Sequence, residues 1–163
     1  KQLKIRTPAI AMYVDLFKLF GADPTAMNFA EVFTALQQRT IDGQENPLDT
    51  IRSAKIHEVQ KYISLWNYSY DPIALSVSGR VWKKLSDADK EIFNKAGAAA
   101  MKKQVEASRA LDSEILKSFE STMTVTRLTP EQVQEFKAAA APIYEQYREK
   151  IGEELFKAFG YSF

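Results

Sequence analysis

The chain has 163 residues, 45% hydrophobic and 26% charged, a balance that fits one ordinary folded domain or part of something larger and excludes a disordered chain. Lys and Arg number 22 against 21 Asp and Glu, for a net charge of +1, which gives no electrostatic case for nucleic acid. Cysteine is absent, so there is no disulfide framework, thiolate metal site or Cys nucleophile, and no apolar run approaches the ~20 residues of a membrane-spanning helix.

The chain opens on Lys1-Gln2-Leu3-Lys4 without a Met and reads as a trimmed piece, so a missing signal peptide says nothing about compartment. Leu3 to Ile5 alternates in period two and predicts a short strand ending at Arg6. Pro8 turns the chain, since proline lacks an amide donor. Ala9 to Phe20 carries Tyr13, Leu16, Phe17 and Phe20 at helical spacing, with Gly21 placed to end the helix. Thr25 to Asn28 predicts a second strand. Asn28 and Glu31 form a capping-box pattern before a helix whose apolar face is Val32, Phe33, Ala35 and Leu36. Ile41 to Asn46 predicts a third strand, stopped by Pro47. Its density of polar side chains (Asp42, Gln44, Glu45, Asn46) is unusual, because buried polar groups are costly unless bonded.

Strand, helix, strand, helix, strand favours a right-handed parallel arrangement. Arg6, Phe29 and Asn46 then lie at or just past the carboxyl ends of three strands, where open parallel sheets bind ligands.

Pro47 to Lys55 can form a short helix, and Val59 to Leu65 is ambiguous between helix and strand. Pro72 to Val77 is continuously apolar and reads as a buried strand. Ser78 to Leu85 predicts a short helix carrying Trp82. Ser86 to Asp89 is a capping-box variant opening a long helix, Asp87 to Glu120. That helix spans on the order of 50 Å, longer than one small domain. Ile92, Ala96, Ala99, Lys103 and Glu106 do not sustain a coiled-coil seam, so it reads as a bridge between two lobes. Met123 to Arg127 predicts a strand. Thr129-Pro130-Glu131-Gln132 is a helix start with Thr as cap, Pro at the first turn and Gln at the third position. The helix runs toward Lys150, with a bend expected near Pro142. Gly152 ends it, and Glu153 to Phe159 adds a last turn or two.

Candidate chemistry is sparse. The sole histidine is His57, and no Ser sits in a Gly-x-Ser-x-Gly turn, so nucleophilic catalysis lacks its parts. Asp42, Glu45 and His57 lack metal-ligand spacing, and no glycine-rich loop or cofactor motif exists. Arg6 has two readings: a surface ion pair worth little, or a buried fork gripping a ligand carboxylate. Phe29 and Trp66 read either as core residues or as walls of a ligand pocket, and Asn46 before Pro47 is a usual turn residue.

At Arg6 and along Ala35-Leu36-Gln37 and Ile41-Asp42-Gly43-Gln44-Glu45-Asn46-Pro47-Leu48 the chain resembles the DctP-type extracytoplasmic solute-binding proteins of TRAP (tripartite ATP-independent periplasmic) transporters. Lys4 to Thr7, Gly21-Ala22, Phe29 with Glu31-Val32, Glu58 to Tyr62, and Trp82 with Leu85-Ser86 follow in the same order. The resemblance covers the carboxyl-terminal half of such a protein. It implies an α/β fold of the periplasmic binding protein-like type II, present as an incomplete fragment of two lobes. Residues 1–71 would be the first part of lobe II. Residues 72–110 would return to lobe I and include the start of the long interlobe helix, and 111–163 would complete lobe II. It further implies a periplasmic, non-enzymatic protein that closes on a small organic acid and delivers it to TRAP membrane permease subunits. The carboxylate-pairing arginine of such proteins falls on Arg6, the ligand-contacting asparagine on Asn46 and the ligand-packing aromatic on Phe29. Trp66 and Asn67 are candidates for the pocket wall. Many members carry Asn-His where this chain has Asn67-Tyr68, so no histidine contact is carried over. No metal or cofactor is implied. With its partner lobe absent, an apolar segment such as Ile73 to Val77 is expected to drive self-association of the truncated chain. The alternative of another class is a helical interaction or assembly module built on the long helix.

Overall fold

A computed structural model describes residues 2–161. The chain forms two compact units, one made of the residues up to Trp66 together with those from Thr122 onward, the other of Asn67–Ser121.

The first unit is built on a parallel sheet of β1 (Lys4–Thr7), β2 (Asp23–Ala26) and β3 (Gly43–Gln44), in the order β2-β1-β3. Helix α1 (Ala11–Leu19) crosses from β1 to β2 and α2 (Phe29–Gln37) from β2 to β3, the expected parallel topology. α1 ends in a Schellman turn: the Ala22 amide donates to the Phe17 carbonyl at 3.0 Å and the Gly21 amide to Lys18 at 2.9 Å. Only glycine takes the φ of +77° at position 21 without strain. β2 admits Pro24 because it is an edge of the sheet. α2 buries Val32, Ala35 and Leu36, three of the four residues of its expected apolar face.

Two local expectations change here. The Asn28 side chain does not cap α2; its amide donates instead to Glu31 Oε1 at 3.4 Å, so the reciprocal box is not closed. β3 is two residues long, not six. Before it, the Asp42 carboxylate accepts from the Lys4 amide at 2.8 Å, while the Asp42 amide donates to the Lys4 carbonyl at 2.8 Å. A side chain thus takes a place that a backbone carbonyl would take in a regular ladder, which explains one polar residue in that stretch.

After α3 (Leu48–Ser53) and a 3₁₀ turn at Ile56–Glu58, β4 (Tyr62–Leu65) pairs in parallel with β5 (Thr124–Arg127). α6 (Pro130–Ile151) starts with a complete capping box, Thr129 accepting from the Gln132 amide and the Gln132 side chain from the Thr129 amide. The helix continues through Pro142. Asp15 ties α1 to α6 by accepting from Gln146 Nε2 at 2.8 Å and the Tyr147 hydroxyl at 2.9 Å. α7 (Glu153–Ala158) follows Gly152, whose φ is +88°.

The second unit contains α4 (Gly79–Trp82) and most of α5 (Asp87–Thr122). α5 has 36 residues, about 54 Å of helix. Its Ser86 cap accepts from the Asp89 amide at 3.1 Å and donates its hydroxyl to the Asp89 carboxylate at 2.6 Å. Pro72 to Val77 is not the expected buried strand. It has no regular structure, and Ile73 is 92% and Leu75 67% exposed. An apolar run becomes a strand only beside another strand, and the second unit offers none among the described residues.

Candidate functional site

Three parallel strands bring their carboxyl ends to one edge, and the candidate residues gather there. Arg6 is the next-to-last residue of the central strand and is in register with Thr25 of β2 and Gln44 of β3. Phe29 opens α2 just beyond β2, and Asn46 lies two residues beyond β3.

Arg6 is buried, with 6% of its surface exposed. Its Nε and Nη2 both donate to the Met27 carbonyl, at 3.0 and 2.8 Å. A guanidinium has five N–H donors in a rigid fork, so a backbone carbonyl anchors one edge and leaves Nη1 without a hydrogen-bond acceptor among the described residues. The guanidinium carbon lies 5.7 Å from the Phe29 ring centroid, within cation–π range. Burial pushes the guanidinium below its ordinary pKa, and the negative charge of Glu45 raises it again. The group stays charged at neutral pH, as arginine does.

Asn46 Nδ2 donates to Gln44 Oε1. Thr7, beside Arg6, is fully buried, and its hydroxyl has no hydrogen-bond partner among the described residues.

The structure thus brings Arg6 and Phe29 into contact and places Asn46 at the same sheet edge. Trp66 sits among rings, with centroids 4.6 Å from Phe136, 5.4 Å from Phe20 and 6.4 Å from Phe17. Asn67 takes a left-handed conformation, φ +48°, where the chain enters the second unit; Asn tolerates this better than most residues. Among the described residues no group of His, Asp and Glu side chains is arranged to hold a metal ion. Gln44 belongs to the polar run Asp42, Gln44, Glu45, Asn46 already marked in the sequence. Met27 carries no sequence signal, because it acts through its backbone carbonyl.

The arrangement is suited to an anion. A buried, fixed cation with an unengaged N–H edge recognises a planar carboxylate with two parallel bonds.

Residues 1–150 match the family described as bacterial extracellular solute-binding protein, family 7, DctP. The sialic acid-binding periplasmic protein SiaP of Vibrio cholerae is 34% identical over 155 residues, 95% of this chain and 48% of the relative. A TRAP periplasmic solute-binding protein from Ralstonia eutropha, solved with bound (S)-2-hydroxy-2-methyl-3-oxobutanoate, superposes with a TM-score of 0.91 at 32% identity, covering 97% of this chain and 52% of that one. One from Polaromonas, bound to D-erythronate, gives 0.80 at 40% identity, covering 96% and 51%. The chain spans about half the length of the proteins it matches. Its fold is that of TRAP periplasmic solute-binding proteins, and the chain belongs to the DctP family, the family 7 bacterial extracellular solute-binding proteins.

Proposed function

We propose that the chain carries one ligand-gripping side of a periplasmic solute-binding protein, which takes a small organic acid by its carboxylate and delivers it to TRAP membrane permease subunits. The observation that carries this reading is Arg6: buried and anchored on the Met27 carbonyl through Nε and Nη2, with no hydrogen-bond acceptor on Nη1 among the described residues, at the carboxyl edge of a parallel sheet. Arg6 clamps the carboxylate, Asn46 hydrogen-bonds beside it, and Phe29 provides an aromatic wall against both the guanidinium and the ligand. Trp66 is half-buried against Phe17, Phe20 and Phe136, and its remaining surface is assigned, with Asn67, to the pocket wall. The named ligands of the relatives above share a carboxylate, which supports the class and leaves the individual acid open. One Arg–carboxylate contact contributes about 1.5–3 kcal/mol, and lobe closure strengthens it by excluding water. Thermal-shift and calorimetric screening of mono- and dicarboxylates, hydroxy acids and sugar acids against the protein at its native length tests the reading. Saturable binding of an acid, lost on esterifying its carboxylate, is expected. Binding that survives esterification would overturn it.

A second reading rests on the second unit, where Ile73, Leu75, Ile92 and Phe93 are all exposed. On this reading the unit is an assembly module, and the 163-residue chain pairs with a second copy through it. Size-exclusion chromatography with light scattering then gives a dimer indifferent to organic acids. A stable monomer removes the reading.

A further inference from the structure

Gln44 and Asn46 stand two residues apart where β3 runs out, and they bond each other, Asn46 Nδ2 donating to Gln44 Oε1. Gln44 is also the register partner of Arg6, and residues paired across neighbouring strands send their side chains to the same face of the sheet. Gln44 is therefore joined by register to the arginine and by hydrogen bond to the asparagine. The torsion that turns a terminal amide is broad and roughly two-fold. An asparagine at a strand end, beyond the last ladder bond, can present either its oxygen or its nitrogen to a ligand. A fixed acceptor on one side removes that choice. With one Nδ2 hydrogen on Gln44 Oε1, the directions of the second Nδ2 hydrogen and of Oδ1 are fixed.

We propose that Gln44 is a positioning residue of the binding site: it presets the Asn46 amide before ligand arrives and couples it to the strand that carries Arg6. The proposal rests on the reading of Arg6 and Asn46 as the ligand-facing pair. Its physical content is preorganisation. An amide already held in its bound orientation loses less side-chain freedom on binding, so Gln44 affects affinity only through Asn46. Gln44 itself need not touch the ligand.

A double-mutant cycle separates this role from a structural one. Gln44→Met removes the acceptor and keeps a similar shape. In the native-length protein, calorimetry with D-erythronate, succinate and N-acetylneuraminate as probes reads the affinities. Gln44→Met is expected to weaken the bound probe about fivefold, the effect of one neutral hydrogen bond, and to have no further effect in an Asn46→Ala background. Equal losses in both backgrounds, or no loss in the first, would overturn the positioning role while leaving the acid-binding reading intact. Should none of the three bind, the acid found by the carboxylate screen above serves as the probe, and failure of that whole screen would overturn that reading and this proposal together. A measurement on the unsubstituted protein guards against a misfolded variant. The Asn46 side-chain amide protons are expected to exchange slowly with solvent and to show a nuclear Overhauser contact to Gln44 without ligand. A freely exchanging amide with no such contact would sink the idea.

Discussion

The Arg6 guanidinium carbon lies 5.7 Å from the centroid of the Phe29 ring while two of its nitrogens donate to the Met27 carbonyl. Residues from β1, from the β2–α2 connection and from the first turn of α2 thus fix one cation. The fork needs its planar shape to hold Met27 with one edge and a ligand with another. Lysine has one compact ammonium on a flexible stem and cannot do both. Arg6→Lys is expected to weaken carboxylate binding by about 10- to 100-fold, the equivalent of ~1.5–3 kcal/mol, measured by calorimetry on the native-length protein. Unchanged affinity would remove Arg6 from the site.

Phe29 is 40% exposed, so its ring is available to a ligand as well as to Arg6. Phe29→Leu keeps an apolar side chain on α2 and removes the π face. The helix is expected to remain folded by circular dichroism, because its buried residues are Val32, Ala35 and Leu36. Affinity for an organic acid is expected to fall about 2- to 30-fold, matching a cation–π contribution of ~0.5–2 kcal/mol. Equal affinity in Phe29→Leu would show that the ring serves neither partner.

The placement of the candidate residues at one sheet edge was legible in the sequence. Arg6, Phe29 and Asn46 follow from three strand ends in a β–α–β–α–β pattern and from the run through Asn46-Pro47. The anchor for Arg6 was not, because Met27 contributes a carbonyl that every residue has. The shortness of β3 is not legible because residue types between Ile41 and Pro47 do not distinguish a backbone ladder from one in which the Asp42 carboxylate stands in for a carbonyl. Pro72 to Val77 was misread because an apolar run fixes the tendency to pair, while strand formation depends on a neighbour elsewhere in the chain. The ends of α5 and α6 were readable from Ser86, Thr129 and Gly152, since capping is local chemistry.

Thr7 is fully buried, and its hydroxyl has no partner among the described residues. Valine has nearly the same shape, suits a strand and has no polar group to satisfy. Thr7→Val is expected to raise stability by about 1–2 kcal/mol and the melting temperature by about 2–6 °C. A fall in melting temperature would show that an ordered water bonds the hydroxyl.

The capping box of α6 predicts a second stability effect. Thr129 accepts from the Gln132 amide at 3.3 Å, and Gln132 Oε1 accepts from the Thr129 amide at 2.9 Å. Thr129→Ala removes the first bond and weakens the second by freeing the turn. A loss of about 1 kcal/mol is expected, read as a lower urea midpoint with unchanged slope. Thr129→Ser should recover most of it, and a serine variant as unstable as the alanine would count against capping as the cause.

Acid should loosen the junction between α6 and α7. Arg148 donates to the Glu153 carboxylate from Nε at 3.2 Å and also from Nη2, across the turn at Gly152. That hydrogen bond, then the charge of Arg148, holds the Glu153 carboxyl below the usual carboxylate range. A group with a depressed folded pKa binds its proton more weakly when folded than when unfolded. Its contribution is therefore complete above the ordinary Glu value of about 4.3 and is lost as pH falls through the lower folded value. Glu153 is at the surface, so the consequence is local opening and not global unfolding. The backbone amides of Gly152 and Phe156, which donate to the Arg148 and Gly152 carbonyls, are expected, after correction for intrinsic rates, to lose protection from hydrogen exchange on going from pH 6 to pH 3, with the amides of α2 unaffected. In Glu153→Gln the pH dependence at the junction should disappear, because the titrating group is gone while a hydrogen-bond acceptor for Arg148 remains. Persistence of the same pH dependence in that variant would assign the effect to another carboxylate on α6 or α7.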